Sequence, residues 1–284
     1  MIHDRETNFL YLADKLNQEK YSAFLARFEK VLIENDIQYE YLSNTKDIWA
    51  VDFMPVQIRA DKFVQFEYEP DYLQGKTKRK TISDVDSICN SINLLPVKSK
   101  LIVDGGNVIR TNDKVIMCDK VFKENSNLSE KELIKQLRDT FEVDNLFFVP
   151  WDKTDFTGHA DGMVRFIDND TVLINDYSKE EPIYQRTFRM ALYNAGLDWR
   201  EIPYNPYDNN SQYNAEGVYL NYLQMKQAVI VPTFKRKEDE KVVKILEQVF
   251  KGQTIATVDS NEIAIEGGIL NCITWNIQTT KNGL

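Results

Sequence analysis

The feature that most constrains this chain is a pattern that returns five times. In each copy an acidic residue beside a small or turn-prone stretch is followed by a short strand, a polar break and a second strand. The copies are Trp49-Ala50-Val51-Asp52-Phe53-Met54-Pro55-Val56, Asp104-Gly105-Gly106-Asn107-Val108-Ile109, Gly158-His159-Ala160-Asp161-Gly162-Met163, Asn214-Ala215-Glu216-Gly217-Val218 and Glu266-Gly267-Gly268-Ile269-Leu270-Asn271-Cys272. Their acids stand roughly 55 residues apart, a period that belongs to rings or stacks of supersecondary units. Second strands are expected at Lys62–Tyr68, Lys114–Cys118, Thr171–Asn175 and Gln227–Thr233.

A helix-period segment precedes each acid, at 19–34, 83–94, 129–141, 181–196 and 238–251. The third opens on the capping pattern Ser129-Glu130-Lys131-Glu132. A further strand then leads into each acid, at Gln38–Leu42, Lys100–Val103, Leu146–Val149, Arg200–Pro203 and Thr254–Val258. Little chain follows the last acid, whereas Phe9–Leu12 supplies a strand ahead of the first helix. The N-terminal strand is therefore expected to complete the fifth unit and close a ring. An open α+β sheet is the alternative.

Composition sets outer limits. A chain of 284 residues with 43% hydrophobic content suits one substantial globular domain, or several small units sharing a centre, and a single domain over 1–284 is expected. The formal net charge of −9 argues against general affinity for nucleic acid, which needs basic surface. The basic run Lys76-Thr77-Lys78-Arg79-Lys80 is short and reads as a solvated loop. Cys89, Cys118 and Cys272 lie in unrelated contexts, with no disulfide framework and no zinc spacing. Cys89 and Cys118 sit in helical and strand patterns and read as small core residues. No stretch resembles a signal peptide or a membrane span, so a reducing cytoplasm is the expected compartment.

In a ring, equivalent turns meet near the axis. That would bring Asp52, Asp104, His159, Asp161 and the segment ending at Cys272 into one space. His159 is one of only two histidines, and the other, His3, sits at a terminus expected to fray. A lone histidine commonly serves local hydrogen bonding, but the recurring acidic turns favour a chemical role. A thiol, an imidazole and several carboxylates together suggest covalent catalysis with acid–base help. A Cys-His-Asp acyl-transfer triad needs only one carboxylate. Three or more form a costly concentration of like charge unless a cation neutralises them. A planar guanidinium suits carboxylates held in its plane, whereas a metal finds no recognisable ligand spacing. The residues favour a cysteine enzyme acting on a guanidine-type cation.

These motifs carry a resemblance. From Trp49 to Trp275 the chain resembles the agmatine deiminase and bacterial peptidylarginine deiminase family, within the guanidino-group-modifying superfamily. The motifs are Trp49-Ala50-Val51-Asp52 with Pro55, Gly158-His159-Ala160-Asp161, and Gly267-Gly268-Ile269-Leu270-Asn271-Cys272-Ile273-Thr274. The resemblance implies an α/β fold, a five-bladed α/β propeller (pentein) of five pseudo-repeats. It implies Cys272 as nucleophile, His159 as general acid and then base, and Asp52 and Asp161 as the carboxylates gripping the guanidinium.

Asp104 falls where many relatives place a glutamate that partners the histidine. It is one methylene shorter, so reaching His159 calls for a backbone adjustment. Val51 stands where relatives usually carry arginine. Trp49 and Asn107 are candidate substrate-binding residues, with buried structural roles as the alternative. Glu216 and Glu266 are expected to be turn or interface residues, and Arg165 to form an ion pair within the acidic centre.

The implied enzyme is a hydrolase without cofactor or metal that turns a guanidino group into a ureido group and releases ammonia. Agmatine, giving N-carbamoylputrescine, is the first expected substrate and peptidyl-arginine the second. An amidinotransferase and a catalytically silent arginine- or agmatine-binding relative are the alternatives. Neither nucleic acid nor membrane is expected as a partner, and a homo-oligomer is left open.

Overall fold

A computed structural model describes residues 1–153, 155–211 and 213–280. Its strands form five three-stranded sheets built to one plan. In each, the middle strand runs antiparallel to the strand before it and parallel to the strand after it, which is reached through a helix. Val56–Arg59, Lys62–Glu67 and Val97–Ile102 make the first blade; Ile109–Arg110, Lys114–Cys118 and Asn145–Val149 make the second. Val164–Phe166, Thr171–Asn175 and Asp198–Ile202 make the third, and Leu223–Gln224, Ala228–Thr233 and Thr254–Asp259 the fourth.

The fifth blade joins the two ends of the chain. Phe9–Ala13 lies between Thr274–Ile277, antiparallel to it, and Gln38–Leu42, parallel to it. The expected closure by the N-terminal strand is what the structure has, and the fold is a five-bladed α/β propeller.

Burial follows strand position. Most middle strands are covered on both faces and read as apolar runs such as Val115-Ile116-Met117-Cys118, whereas Lys62–Glu67 leaves Glu67 exposed. Outer strands face solvent, and Asp198–Ile202 buries only Ile202 fully. Each blade helix lays one stripe on its sheet. Ser22–Glu34 buries Phe24, Leu25, Phe28 and Leu32, and Glu130–Phe141 buries Leu133, Leu137 and Phe141. Ser129 and Glu132 form the expected capping box.

Some expectations shift in detail. The helix expected at 83–94 spans Val85–Ser91, started by Asp84 accepting from the Ser87 amide. The N-terminus does not fray. Asp4–Glu6 forms a 3-10 turn, and His3 is buried with its Nδ1 accepting from the Arg5 amide. Asp4 takes Arg165 at 2.9 Å and Arg110 at 3.3 Å. Arg165 thus finds its counter-ion on the N-terminal segment rather than among the central acids, and it donates to the Leu220 and Tyr222 carbonyls as well. The basic run 76–80 is exposed as expected. Among the described residues no helix is long and apolar enough to cross a membrane.

Candidate active site

The turns of the first three repeats adjoin one another in order, and the one bearing Asp52 also meets the strand that follows Cys272. Asp52 lies in the short helix Ala50–Phe53, and Asp104 immediately precedes the 3-10 turn Gly105–Asn107. His159 immediately precedes the turn Ala160–Gly162, which contains Asp161. Cys272 sits just ahead of the strand Thr274–Ile277, and its carbonyl accepts from the Val51 amide at 3.3 Å. All five side chains are buried.

Both ring nitrogens of His159 face carboxylates. Nε2 is 2.9 Å from Asp104 Oδ2 and Nδ1 is 3.4 Å from Asp52 Oδ1. Burial alone would lower the imidazole pKa, but Asp52, Asp104 and Asp161 outweigh it and lift it to about 10. The three carboxylates thus favour the protonated form of His159. Burial pushes the Asp52 and Asp161 carboxyls up, with the positive His159 opposing the rise.

Asp104 reaches His159 despite its short side chain because two glycines let the backbone close in. A Cβ on Gly105 would stand 2.0 Å from the Val51 carbonyl oxygen. One on Gly106 would stand 2.6 Å from Asp52 Oδ1 and 2.8 Å from His159 Nδ1. The Gly106 amide instead donates to Asp52 Oδ1 at 3.2 Å.

Cys272 Sγ donates to Asp161 Oδ2 at 3.6 Å and receives the Asn221 side-chain amide at 3.2 Å. Burial first, then the negative Asp161 and Asp52, raise the thiol pKa well above its ordinary value. Asn221 is the hub of this wall. Its Oδ1 accepts from the Ile269 and Cys272 amides, and its Nδ2 also donates to Asp161 Oδ2 at 2.9 Å. Asn271 donates to the same oxygen at 2.8 Å.

These groups line a cavity of about 440 Å³, whose walls include Trp49, Asp52, Tyr72, Phe156, His159, Asp161, Tyr213, Asn221, Gly268 and Cys272. Phe156 meets Tyr72 and Tyr213 edge-on, with ring centroids 5.4 and 4.9 Å apart. Tyr72 also donates its hydroxyl to Asp104 Oδ2 at 3.2 Å. Asp104 itself sits behind His159 and does not line the cavity.

The structure separates the sequence candidates. Cys272, His159, Asp161, Asp52 and Trp49 share the cavity, and Asp104 backs it. Asn107 does not reach it. Its amide bridges the Cys118 backbone, accepting from the amide at 2.6 Å and donating to the carbonyl at 3.3 Å, because a strand end buried there needs partners. Glu216 pairs with Arg236 at 2.8 Å, as a turn residue would. Glu266 lies at the rim of the cavity and pairs with Lys20 at 3.1 Å.

Sequence reasoning missed Asn221, Asn271, Tyr72 and Phe156. Only Asn271 carried a positional signal, next to Cys272. Among the described residues no group of three or more His, Cys, Asp or Glu side chains is arranged to hold a metal ion.

Similar proteins point one way. The family model for Porphyromonas-type peptidyl-arginine deiminase matches residues 2–277. The agmatine deiminase of Pseudomonas aeruginosa strain UCBPP-PA14 is 24% identical over 203 residues, covering 61% of this chain and 54% of that protein. The matches to curated relatives span 54% to 62% of those proteins' length. A cysteine-to-serine variant of C. jejuni agmatine deiminase, solved with substrate bound, superposes with a TM-score of 0.79 at 22% identity, covering 100% of this chain and 96% of that one. The DDAH of Pseudomonas aeruginosa has a TM-score of 0.59 at 12% identity, covering 95% and 99%. At these identities the solved structures establish the shared fold. With the family model matching nearly the whole chain, the chain belongs to the Porphyromonas-type peptidyl-arginine deiminase family.

Proposed function

We propose that this chain is a cysteine-dependent deiminase that hydrolyses a guanidino group to a ureido group and ammonia. The observation that carries the reading is the shared cavity wall. A thiol, an imidazolium and two carboxylates face one space, with Cys272 Sγ 3.6 Å from Asp161. Asp52 and Asp161 hold the planar cation, so that its central carbon lies against sulfur. Sulfur attack forms the S–C bond and breaks one C–N bond. The thiol proton leaves to solvent as the guanidinium takes its place on Asp161, and His159 passes its own proton to the departing ammonia and is left neutral. Water then adds to the amidino-thioether and gives one proton to His159, and the S–C bond breaks as the second proton passes to sulfur, freeing the ureido product and restoring the thiol. The buried carboxylates stabilise the cationic intermediate throughout.

The lining also suggests the substrate. Asp52, Asp152, Asp155, Asp161 and Glu266 contribute acid groups, whereas Lys153 is the only lysine or arginine among the described lining residues. Lys153 lies over the Trp151 ring at 3.5 Å. Among the described lining residues no arginine is placed to grip an α-carboxylate, which favours the dication agmatine over free arginine. A second reading is peptidyl-arginine, favoured by the further lining that Tyr204, Tyr207 and Tyr213 supply beyond the thiol wall.

The test is a panel of agmatine, arginine and blocked arginine peptides, followed by release of ureido product and ammonia. Turnover is expected on agmatine, and Cys272→Ala should lose about 10³-fold or more. Ordinary activity in that variant, or no turnover of any guanidine, would overturn the reading.

A further inference from the structure

Lys120 opens the short helix Lys120–Glu124, directly after the strand Lys114–Cys118, and its side chain is 1% exposed. Its ammonium is 3.2 Å from Glu124, one turn along the same helix. That single pair would already offset the charge, yet two further contacts reach out of the helix. Nζ donates to the Thr157 carbonyl at 2.7 Å and lies 2.9 Å from Asp71. It also lies over the Tyr72 ring, 5.0 Å from the centroid.

Both outside partners lead to His159. Thr157 stands on the loop that runs directly into the histidine and also carries Phe156. Asp71 adjoins Tyr72, whose hydroxyl donates to Asp104 Oδ2, the same oxygen that holds His159 Nε2. The loop is moulded to the lysine stem. Gly158 has φ +66°, and a Cβ there would stand 2.5 Å from Lys120 Cδ.

We propose that Lys120 is a positioning residue whose buried ammonium clasps the loop before His159 to the turn bearing Tyr72, setting the imidazole and the aromatic wall together. The clasp holds Phe156 against Tyr72 and keeps Asp104 aimed at His159. The inference rests on the deiminase reading only for its kinetic readout.

Lys120→Met, Asp71→Asn and the double variant should be compared with the parent. Measurements are kcat per active site titrated with a cationic chloroacetamidine, KM, thermal melting, and hydrogen exchange of peptides covering 69–74 and 155–159. Lys120→Met is expected to stay folded and to lose about 30-fold in kcat per titrated site, with faster exchange in both peptides. Asp71→Asn is expected to lose about 3-fold, with faster exchange in 69–74 alone, and to add less than about 2-fold in the Lys120→Met background.

A merely structural lysine would lower the melting point and the titratable fraction but leave kcat per site unchanged. Parental kcat per site and parental exchange in Lys120→Met, or independent multiplicative losses in the double variant, would overturn the clasp. Should Lys120→Met not fold, Asp71→Asn decides, because its residue is partly exposed, and parental kinetics and exchange there would sink the proposal. If the parent turns over no guanidine, the deiminase reading fails by itself, and exchange in the two peptides still tests the clasp.

Discussion

The Cys272 thiol donates to Asp161 Oδ2, so its proton is held by the group that grips the substrate in the proposed mechanism. Burial and the Asp161 and Asp52 charges all disfavour a thiolate. Hydrogen bonds from the Ile269 backbone and the Asn221 side chain to the sulfur oppose them without prevailing. In the proposed mechanism an incoming guanidinium replaces the thiol proton as the partner of Asp161 and adds positive charge beside sulfur, so that substrate helps to ionise Cys272. Neutral iodoacetamide is therefore expected to alkylate Cys272 slowly at pH 6 to 7 and faster only as pH climbs past the ordinary thiol value of about 8.5. A cationic chloroacetamidine of similar size should inactivate far faster near neutrality. Rapid neutral alkylation at pH 6, assigned by peptide mass to Cys272, would mean a preformed thiolate. Asp52→Asn and Asp161→Asn should each weaken guanidinium binding by several kcal/mol, since each removes one partner of a desolvated charge pair. Near-normal KM in both would sink the proposed grip.

At the scale of elements, the site depends on how closely turns approach. Gly106→Ala leaves an ordinary backbone conformation but drives a methyl to 2.6 Å from Asp52 Oδ1 and 2.8 Å from His159 Nδ1. A loss of about 10²-fold or more in kcat/KM is expected with the fold retained, and parental kinetics would show that the turns have slack. The N-terminal turn makes a different prediction. Burial lowers the His3 pKa from 6.5 to about 4. The unfolded chain then binds the extra proton first, so the stability due to neutral His3 is present above pH 6.5 and lost as pH falls through 4. The full effect is about 3 kcal/mol. His3→Gln should flatten this part of the melting-temperature profile between pH 6.5 and 4, relative to the parent. Parallel profiles would place the acid sensitivity elsewhere.

At the scale of the whole molecule, ring closure rests on the strand Phe9–Ala13. It is the middle strand of its blade, and all five of its residues are buried. At about 1.5–3 kcal/mol for each large apolar side chain, its burial rivals the 5–15 kcal/mol by which whole domains are stable. Deleting residues 1–13 should therefore abolish the cooperative melt and the slow, substrate-dependent alkylation of Cys272 together. A truncated chain that still melts cooperatively and keeps that behaviour would show that the remaining four blades hold the axis unaided.

Much of this was legible in the chain because it is local and periodic. Alternation and helical spacing report which face of an element is apolar, and five copies of one pattern allow few architectures other than a ring. The turn acids, His159 and Cys272 were legible for the same reason, since equivalent turns must meet at the axis. Other features were settled only by tertiary structure. Asp104 reaches His159 because Gly105 and Gly106 let backbones approach, while Asn107, two residues beyond Gly105, turns away to satisfy the Cys118 strand end. Arg165 found Asp4 across the ring, and Asn221 became the hub of the thiol wall from a different blade. Tyr72, on a short 3-10 turn, and Lys120, at a helix start, reach the site by contacts that carry no periodic signal. Periodicity constrains the direction of a side chain relative to its own element, whereas convergence on one cavity depends on how blades and loops pack in three dimensions.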